Sequence, residues 1–294
     1  MNTTTALLAL LATACLPALA ATPIDETRPL DPRGRLEVSN VKGSIEVRAW
    51  DRPEVRISGS LGDGVERLEI DGSSGKLTVK VRYPRNSRST EPTTLVLDVP
   101  QRASVDVEGV AARIDVSGLA GDRIEVESVS GDVTVVGAPR KADISSVSGQ
   151  QSLNLNSREV EAESVSGNVR LRGRIDGAVD IETVSGNIEV DTRGERARRF
   201  EAASVSGDIR YTGGLADGGR IEVESVSGDI LLRLPASLSA RVAAESFSGS
   251  LSAPAAAIQK PKYGPGSSFE HRYGSGAGDI RIESFSGDLK LQLD

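Results

Sequence analysis

Ser128-Val129-Ser130-Gly131-Asp132 is a stretch that the chain repeats along most of its length. Equivalent stretches begin at residues 146, 164, 183, 204, 225, 246 and 284, and their glycines are separated by 18, 18, 19, 21, 21, 21 and 38 residues. Self-similarity at such a period is typical of repeat architectures, in which each repeat is one structural unit. We expect the repeated glycines to form a structural turn ladder: Gly131, Gly149, Gly167, Gly186, Gly207, Gly228, Gly249 and Gly287.

Apolar residues keep fixed positions around each glycine. Around Gly131 they are Ile124, Val126, Val129, Val133 and Val135. Within a strand they are two residues apart with polar residues between them, as expected for a half-buried β-strand. Because this alternation breaks between Val126 and Val129, we predict a bend at the first serine of the motif and a core position for Val129. The glycine then allows the corner.

Each repeat holds two short strands and two turns, and a single repeat cannot bury its own apolar face. Stacking the repeats about 4.8 Å apart places equivalent residues over one another and closes a continuous core. The sequence therefore predicts an all-β fold, a parallel β-solenoid (β-helix) of roughly 18–21-residue rungs. An antiparallel meander of the same strands is the alternative.

The N-terminal region resembles an export signal. An apolar run over residues 6–20 ends in Ala18-Leu19-Ala20, so residues 1–20 are predicted to be a signal peptide that is too short to span a membrane. Lipidation at Cys15 is the alternative. Cleavage after Ala20 would leave no cysteine and no apolar stretch of spanning length, which predicts an exported protein without a transmembrane segment, either periplasmic or at the cell surface or secreted.

The remaining chain divides into three parts. Residues 21–35 are predicted to be an extended leader, and residues 36–103 a first rung followed by a β-rich N-terminal cap segment. Residues 104–294 are predicted to be β-solenoid repeats with an inserted loop at 254–278. The chain closes on Leu289–Asp294, which we expect to be an open edge where a partner strand could add.

Two columns of carboxylates accompany the repeat. One is Glu127, Glu163, Glu182, Glu224, Glu245 and Glu283, and the other is Glu125, Glu161, Asp180, Glu201 and Glu222. Carboxylate pairs serve glycosidases, but stacked rungs bring many such pairs together, so a solvated acidic face is the favoured interpretation. The turn acids, such as Asp208 and Asp229, could share a weakly bound cation, although turn formation explains them better.

Other features bear on cofactors and partners. A lone His271 cannot form a histidine metal site, and we expect no cofactor. The net charge of -7 and the 3% aromatic content argue against a nucleic-acid partner. The inserted loop holds a candidate partner-binding set, Tyr263, Phe269, His271 and Tyr273, since binding loops on rigid scaffolds are often rich in such residues. The alternative is that this loop folds over the last rungs.

Three features together resemble a known family. They are the repeated Ser-Val-Ser-Gly-Asp/Asn followed by Ile-x-Val, the early segment Val41–Trp50, and Leu95–Pro100 before the regular array. The chain is similar to the bacterial putative-adhesin family, a domain of unknown function in exported β-strand-repeat proteins. The resemblance implies a β-helical fold and an envelope or surface setting, and it carries over no catalytic residue.

The sequence thus favours a non-catalytic exported β-solenoid, an adhesin or a cell-envelope binding or scaffold module. Its partner would be an unknown cell-envelope or surface protein or glycan. Two alternatives stay open: an envelope-stress signalling module that binds peptide or lipid, and a β-helical enzyme that acts on polysaccharides through stacked acids.

Overall fold

The computed structural model of the chain describes residues 22–84, 90–262 and 265–294, and these residues form β-strands and no helix. The predicted all-β class is confirmed. The predicted signal peptide, with Cys15, and Tyr263 lie outside the described residues. The strands are β1 Thr22–Pro29, β2 Arg35–Trp50, β3 Glu54–Leu61, β4 Arg67–Ser73, β5 Lys76–Arg82, β6 Thr93–Pro100, β7 Ser104–Leu119, β8 Arg123–Ser130, β9 Val133–Gly137, β10 Lys141–Ser148, β11 Gln151–Leu155, β12 Ser157–Ser166, β13 Val169–Arg172, β14 Ile175–Ser185, β15 Ile188–Ser206, β16 Ile209–Ser227, β17 Ile230–Leu234, β18 Ala240–Ser248, β19 Leu251–Ser252, β20 Ser267–Tyr273, β21 Gly278–Ser286 and β22 Leu289–Leu293.

The repeats stack as two parallel ladders. In the first ladder, Ile124 of β8 lies between Val105 of β7 and Ala142 of β10. In the second ladder, Val133 of β9 lies between Ile114 of β7 and Gln151 of β11. The long strands β2, β7, β15 and β16 run through a corner and contribute to both ladders. Equivalent residues of successive repeats are therefore direct neighbours. One strand from the first ladder and one strand from the second ladder together form a rung.

The core lies between the two ladders and consists mainly of Val, Ile and Leu. These aliphatic side chains suit a thin core, since each rung supplies only one layer of inward-facing residues. The two largest fully buried side chains, Phe200 and Tyr211, stack with ring centroids 4.2 Å apart. The Tyr211 hydroxyl donates a 2.9 Å hydrogen bond to the carbonyl oxygen of Gly214. Its polar end is thus satisfied inside the core.

The predicted core position of Val129 is wrong. Val129 is 47% exposed, whereas Ser128 is 5% exposed. The alternation of β8 continues unbroken through the motif, so that Ile124, Val126 and Ser128 face inward and Val129 faces outward. The bend lies after Ser130, because the strand keeps its pleat until the glycine.

The glycine column closes this bend by close approach between rungs. A Cβ on Gly186 would lie 2.1 Å from the carbonyl oxygen of Gly167, and a Cβ on Gly167 would lie 2.0 Å from that of Gly149. Gly131 in addition has a φ of 135°, which disfavours other residues. The glycines therefore stack directly, with each one leaving room for the backbone of its neighbour.

The residue after the glycine links one rung to the next. The Oδ1 atom of Asn187 accepts a 2.9 Å hydrogen bond from the backbone N–H of Asp208, and Oδ1 of Asp208 accepts one of 3.1 Å from Asp229. The other carboxylate oxygen of Asp208 accepts a hydrogen bond from Arg210. These oxygens already have protein donors. The ladder of acids is therefore explained by hydrogen bonding between rungs.

Antiparallel strands cover the N-terminal end of both ladders. β5 and β6 pair in parallel with the two halves of β2. β4 then pairs antiparallel with β5, and β3 pairs antiparallel with β6. β1, within the predicted leader, adds to β3. Charged residues on β4, such as Arg67 and Glu69, protect this end against further strand addition.

The prediction of an open edge at Leu289–Asp294 is wrong for the start of this segment. β21 pairs with β16 on one side and β18 on the other. β22 pairs with β17 over Leu289–Leu293, and with β19 at Leu289 and Lys290. The last rung in sequence is thus inserted one place inside the stack. The outer side of β18 is covered by the antiparallel strand β20. The inserted segment makes this exchange possible, because it carries the chain across the end and back.

A groove along the repeat corner

The outward-facing residue of the motif forms a continuous apolar column on the surface. Ten residues occupy it, one per rung, each between 43% and 57% exposed. In spatial order they are Val41, Val110, Val129, Val147, Val165, Val184, Val205, Val226, Phe285 and Phe247. A contiguous exposed apolar stripe of this length is uncommon on the surface of a folded protein.

A column of carboxylates runs beside the apolar column. Since Glu127 and Val129 are two residues apart on one strand, both point outward, and their columns are about 7 Å apart. The acidic members are Glu108, Glu127, Glu163, Glu182, Glu224, Glu283 and Glu245, with Ser145 and Ala203 filling the two intervening rungs. From the sequence, most of these carboxylates are predicted to lie on a solvated acidic face. In the structure they lie beside the apolar column.

The acidic column is largely uncompensated by charge. Among the described residues, only Glu283 of this column has an ion-pair partner, which is Arg281. The second predicted column differs, because Glu125, Glu161 and several equivalents pair with basic residues. Burial, and next the charge of Glu108, raise the pKa of Glu127. A strip of negative potential therefore follows the apolar column.

Together the two columns form the walls of one groove. Its floor is the backbone of the buried serine column, and its volume is about 1530 Å³. Ten rungs at about 4.8 Å give nine intervals and a length of about 43 Å. We call this surface the corner groove. Along most of its length it is apolar on one side and acidic on the other.

The two ends of the corner groove differ. At one end the valines are replaced by Phe285 and Phe247, whose rings stack 4.8 Å apart at an angle of 7°. Residues 259–261 and 266–268 of the inserted segment also line this end. At the other end the groove is bordered by Asn40 and Lys80. The inserted segment therefore contributes to the groove, although through other residues than those predicted.

The predicted partner-binding residues have different positions. Phe269 is 3% exposed and Tyr273 is 9% exposed, and both lie on β20 against the core. The Tyr273 hydroxyl donates a 2.5 Å hydrogen bond to the carbonyl oxygen of Pro254. His271 is half-buried and contacts Tyr273 edge-on at 4.6 Å between ring centroids. Phe269 and Tyr273 therefore attach the inserted segment to the stack, as the alternative interpretation of this loop expected.

A column of buried hydroxyls lies directly beneath the groove. The side-chain oxygens of seven of these residues have no hydrogen-bond partner among the described residues: Ser146, Ser164, Thr183, Ser204, Ser225, Ser284 and Ser246. The oxygen of Ser164 is 3.2 Å from the place that a Cβ on Gly167 would occupy. Only a small side chain fits the inner side of so tight a corner. The limited space at this corner therefore explains why a small serine or threonine occupies each of these positions.

In the part of the chain that the structure describes, no three His, Cys, Asp or Glu side chains are grouped so that they could hold a metal ion. No helix of the described ranges is long and apolar enough to cross a membrane.

These features define a class, an all-β repeat protein with a long surface groove on one corner of its stack. The family model described as Toastrack DUF4097 matches residues 30–215 and 214–292. The chain therefore belongs to the Toastrack DUF4097 family, a domain of unknown function, in agreement with the resemblance seen in its sequence. No curated protein matches the chain.

Several solved structures are similar to this chain at low identity. One is a "putative adhesin" from Bacteroides fragilis, with 14% identity and a TM-score of 0.46, covering 92% of this chain and 98% of its own. Another is a "putative lipid binding protein" from Parabacteroides distasonis, with 12% identity and a TM-score of 0.42, covering 93% and 97%. A "putative adhesin" from the same organism has 14% identity and a TM-score of 0.38, covering 92% and 97%.

Proposed function

We propose that this protein is a non-catalytic, exported β-solenoid with rungs of 18–21 residues, and that its corner groove binds a partner at the cell envelope. The observation that carries this proposal is the exposed column of eight valines and two phenylalanines beside unpaired carboxylates. A core-building repeat needs no outward valine, since Val126 and Val133 already fill the layer. An apolar residue kept outside in every rung is explained by contact with a partner.

The shape of the groove also suits a scaffold protein better than an enzyme with a substrate pocket. Its character repeats from rung to rung, so each rung offers nearly the same contacts, and binding energy adds along the length. Substrate pockets are instead concave sites with a few distinct polar groups. A long uniform surface favours an elongated partner.

The experiment compares capture of envelope components by the wild-type protein and by groove variants. Val165→Asp with Val184→Asp should remove capture, because two carboxylates would then interrupt the apolar column in adjacent rungs. Val136→Asp is the matched control, since Val136 is 43% exposed but does not line the groove. Equal capture by wild type and groove variant would refute the proposal.

One observation suggests a direct test of the alternative that the protein is an enzyme. The raised pKa of Glu127 is the property that a general acid requires. An enzyme would show turnover on polysaccharides that Glu127→Gln abolishes while Glu182→Gln leaves it intact. We expect no turnover by either variant or by the wild type, because the stacking of rungs by itself brings the acids of this column close to one another.

A further inference from the structure

We infer that the occupant of the corner groove is an extended, basic segment of a partner protein in which apolar and cationic residues alternate. This inference rests on the proposed function, and it names the chemistry of the partner. Three properties of the groove carry it: its two unlike walls, its uncompensated charge and its narrow cross-section.

The two walls require an occupant with two unlike sides. Glu163 and Val165 stand on opposite sides of the buried Ser164, and the same relation holds in the next rung with Glu182 and Val184. In an extended chain, successive side chains point to opposite sides. A segment lying along the groove would therefore direct one set of side chains to the valines and the other to the carboxylates.

The charge of the groove selects a basic occupant. Glu108, Glu127, Glu163, Glu182, Glu224 and Glu245 have no ion-pair partner among the described residues. Bringing an apolar or acidic chain beside them would remove water from carboxylates without compensation. Lysine or arginine at alternate positions would pair with them instead, and charges of opposite sign across an interface also steer association.

The cross-section favours a strand over a helix. The two walls stand about 7 Å apart, because their residues are two positions apart on one strand. An α-helix with side chains is about 10–12 Å across, which is wider than the space between the walls. An extended segment rises about 3.3 Å per residue, so about 13 residues would span the ten rungs.

The Phe end of the groove sets one end of the bound segment. Phe285 and Phe247 offer a larger apolar surface than the valines, and residues 259–261 rise beside them. An aromatic or large aliphatic residue of the partner would bind there, since aromatic pairs contribute beyond their buried area. The neighbouring carboxylates, Glu283 and Glu245, line the same end.

The test uses labelled 13-residue peptides and fluorescence anisotropy with the full chain. The probe alternates Lys and Val. One comparison peptide has the same composition arranged with a helical period, and another has Glu in place of Lys. We expect the alternating Lys–Val peptide to bind most tightly, and its affinity to fall when salt rises from about 0.1 M to 1 M, where the Debye length shrinks from about 10 Å to 3 Å.

Variants of the groove assign the binding to its two walls. Glu163→Gln with Glu182→Gln should weaken binding of the Lys–Val peptide at least about threefold, since each exposed ion pair contributes modestly. Val165→Thr with Val184→Thr should weaken it through the other wall. Glu159→Gln and Val136→Thr are the controls, because both residues are exposed and lie outside the groove. Thermal unfolding of each variant verifies that it is folded.

Several results would overturn the inference. One is tighter binding of the helical-period peptide or the Glu peptide than of the Lys–Val peptide. Another is unchanged binding of the Lys–Val peptide by both groove variants. A third is binding of fatty-acyl vesicles to the groove that is tighter than binding of any Lys–Val peptide. If no peptide binds but groove variants still lose envelope capture, the occupant named here is wrong and the proposed function stands. If groove variants affect neither, both are wrong.

Discussion

Substitution of Gly186 by alanine tests whether the repeated glycine is required for the close approach of rungs. Gly186 does not have a left-handed φ, so a change there adds a methyl group without the backbone strain of positive φ. The added Cβ would lie 2.1 Å from the carbonyl oxygen of Gly167, and real Cβ atoms essentially never come within 3.0 Å. The two rungs must separate by about 1 Å at this corner.

The energy of that separation follows from two hydrogen bonds that join these rungs. The N–H of Val169 donates to the carbonyl oxygen of Asn187 at 2.9 Å, and the N–H of Asn187 donates to Oδ1 of Asn168 at 2.9 Å. Lengthening both by about 1 Å breaks them. At about 0.5–1.5 kcal/mol each, the loss is about 1–3 kcal/mol. We therefore expect Gly186→Ala to lower the free energy of unfolding by about 2 kcal/mol.

The assay is urea unfolding followed by circular dichroism, with Gly75→Ala as the matched control. A Cβ on Gly75 would have no atom within 4 Å. Gly75→Ala should therefore leave the free energy of unfolding unchanged, or raise it by about 0.4–1 kcal/mol because alanine lowers the conformational entropy of the unfolded chain. If Gly186→Ala and Gly75→Ala unfold at the same urea concentration, the close-approach argument is refuted.

Three further changes test the ladders beside this corner. Asn187→Ala should lower the free energy of unfolding by about 0.5–1.5 kcal/mol, because the N–H of Asp208 loses its 2.9 Å acceptor; Asn187→Asp, which keeps the acceptor, is the control, and equal loss in both would contradict the role. Ser164→Ala should raise stability by up to about 1 kcal/mol, because it removes a buried hydroxyl without a partner; a lower melting temperature would show that the hydroxyl is bonded. Burial, and next the charge of Glu201, raise the pKa of Asp180, so the native state holds this proton more tightly than the unfolded state. The ionised carboxylate therefore destabilises the fold at neutral pH; this penalty shrinks as the pH falls through the folded pKa and is gone below the unfolded value of 3.8. Asp180→Asn should therefore raise the melting temperature at pH 7 and not near pH 3, and an equal rise at both would contradict the assignment.

Much of the fold follows from local patterns. The period of 18–21 residues, the alternation within strands and the small set of aliphatic residues all point to stacked strands, and residues 36–103, which are predicted to be rich in β-structure, contain β3, β4, β5 and β6. The glycine positions are also readable, because a residue that recurs at one place in every repeat must serve the geometry of that repeat. Pairing within a repeat protein is nearest-neighbour in character, so sequence period translates directly into register.

The candidate site was harder to predict. Val129 is apolar and is therefore predicted to lie in the core, yet the alternation from Ile124 through Val126 to Ser128 places it outside. Ser128 makes this alternation difficult to recognise in the sequence, since serine usually faces solvent whereas here it faces inward. Phe269 and Tyr273 misled for the opposite reason, because aromatic residues in an irregular segment resemble a binding loop, whereas here they bury against β18.

By itself, the sequence determined the all-β class, the period and the residues that occupy each column, because these depend only on alternation and self-similarity. The tertiary structure decided which columns meet and which remain outside. Stacking of the rungs aligned the outward valines with unpaired carboxylates into one groove, and the exchange of the last two rungs placed Phe285 next to Val226 and Phe247 at the end of the column. No local pattern encodes that exchange, since it depends on how a distant segment crosses the end of the stack.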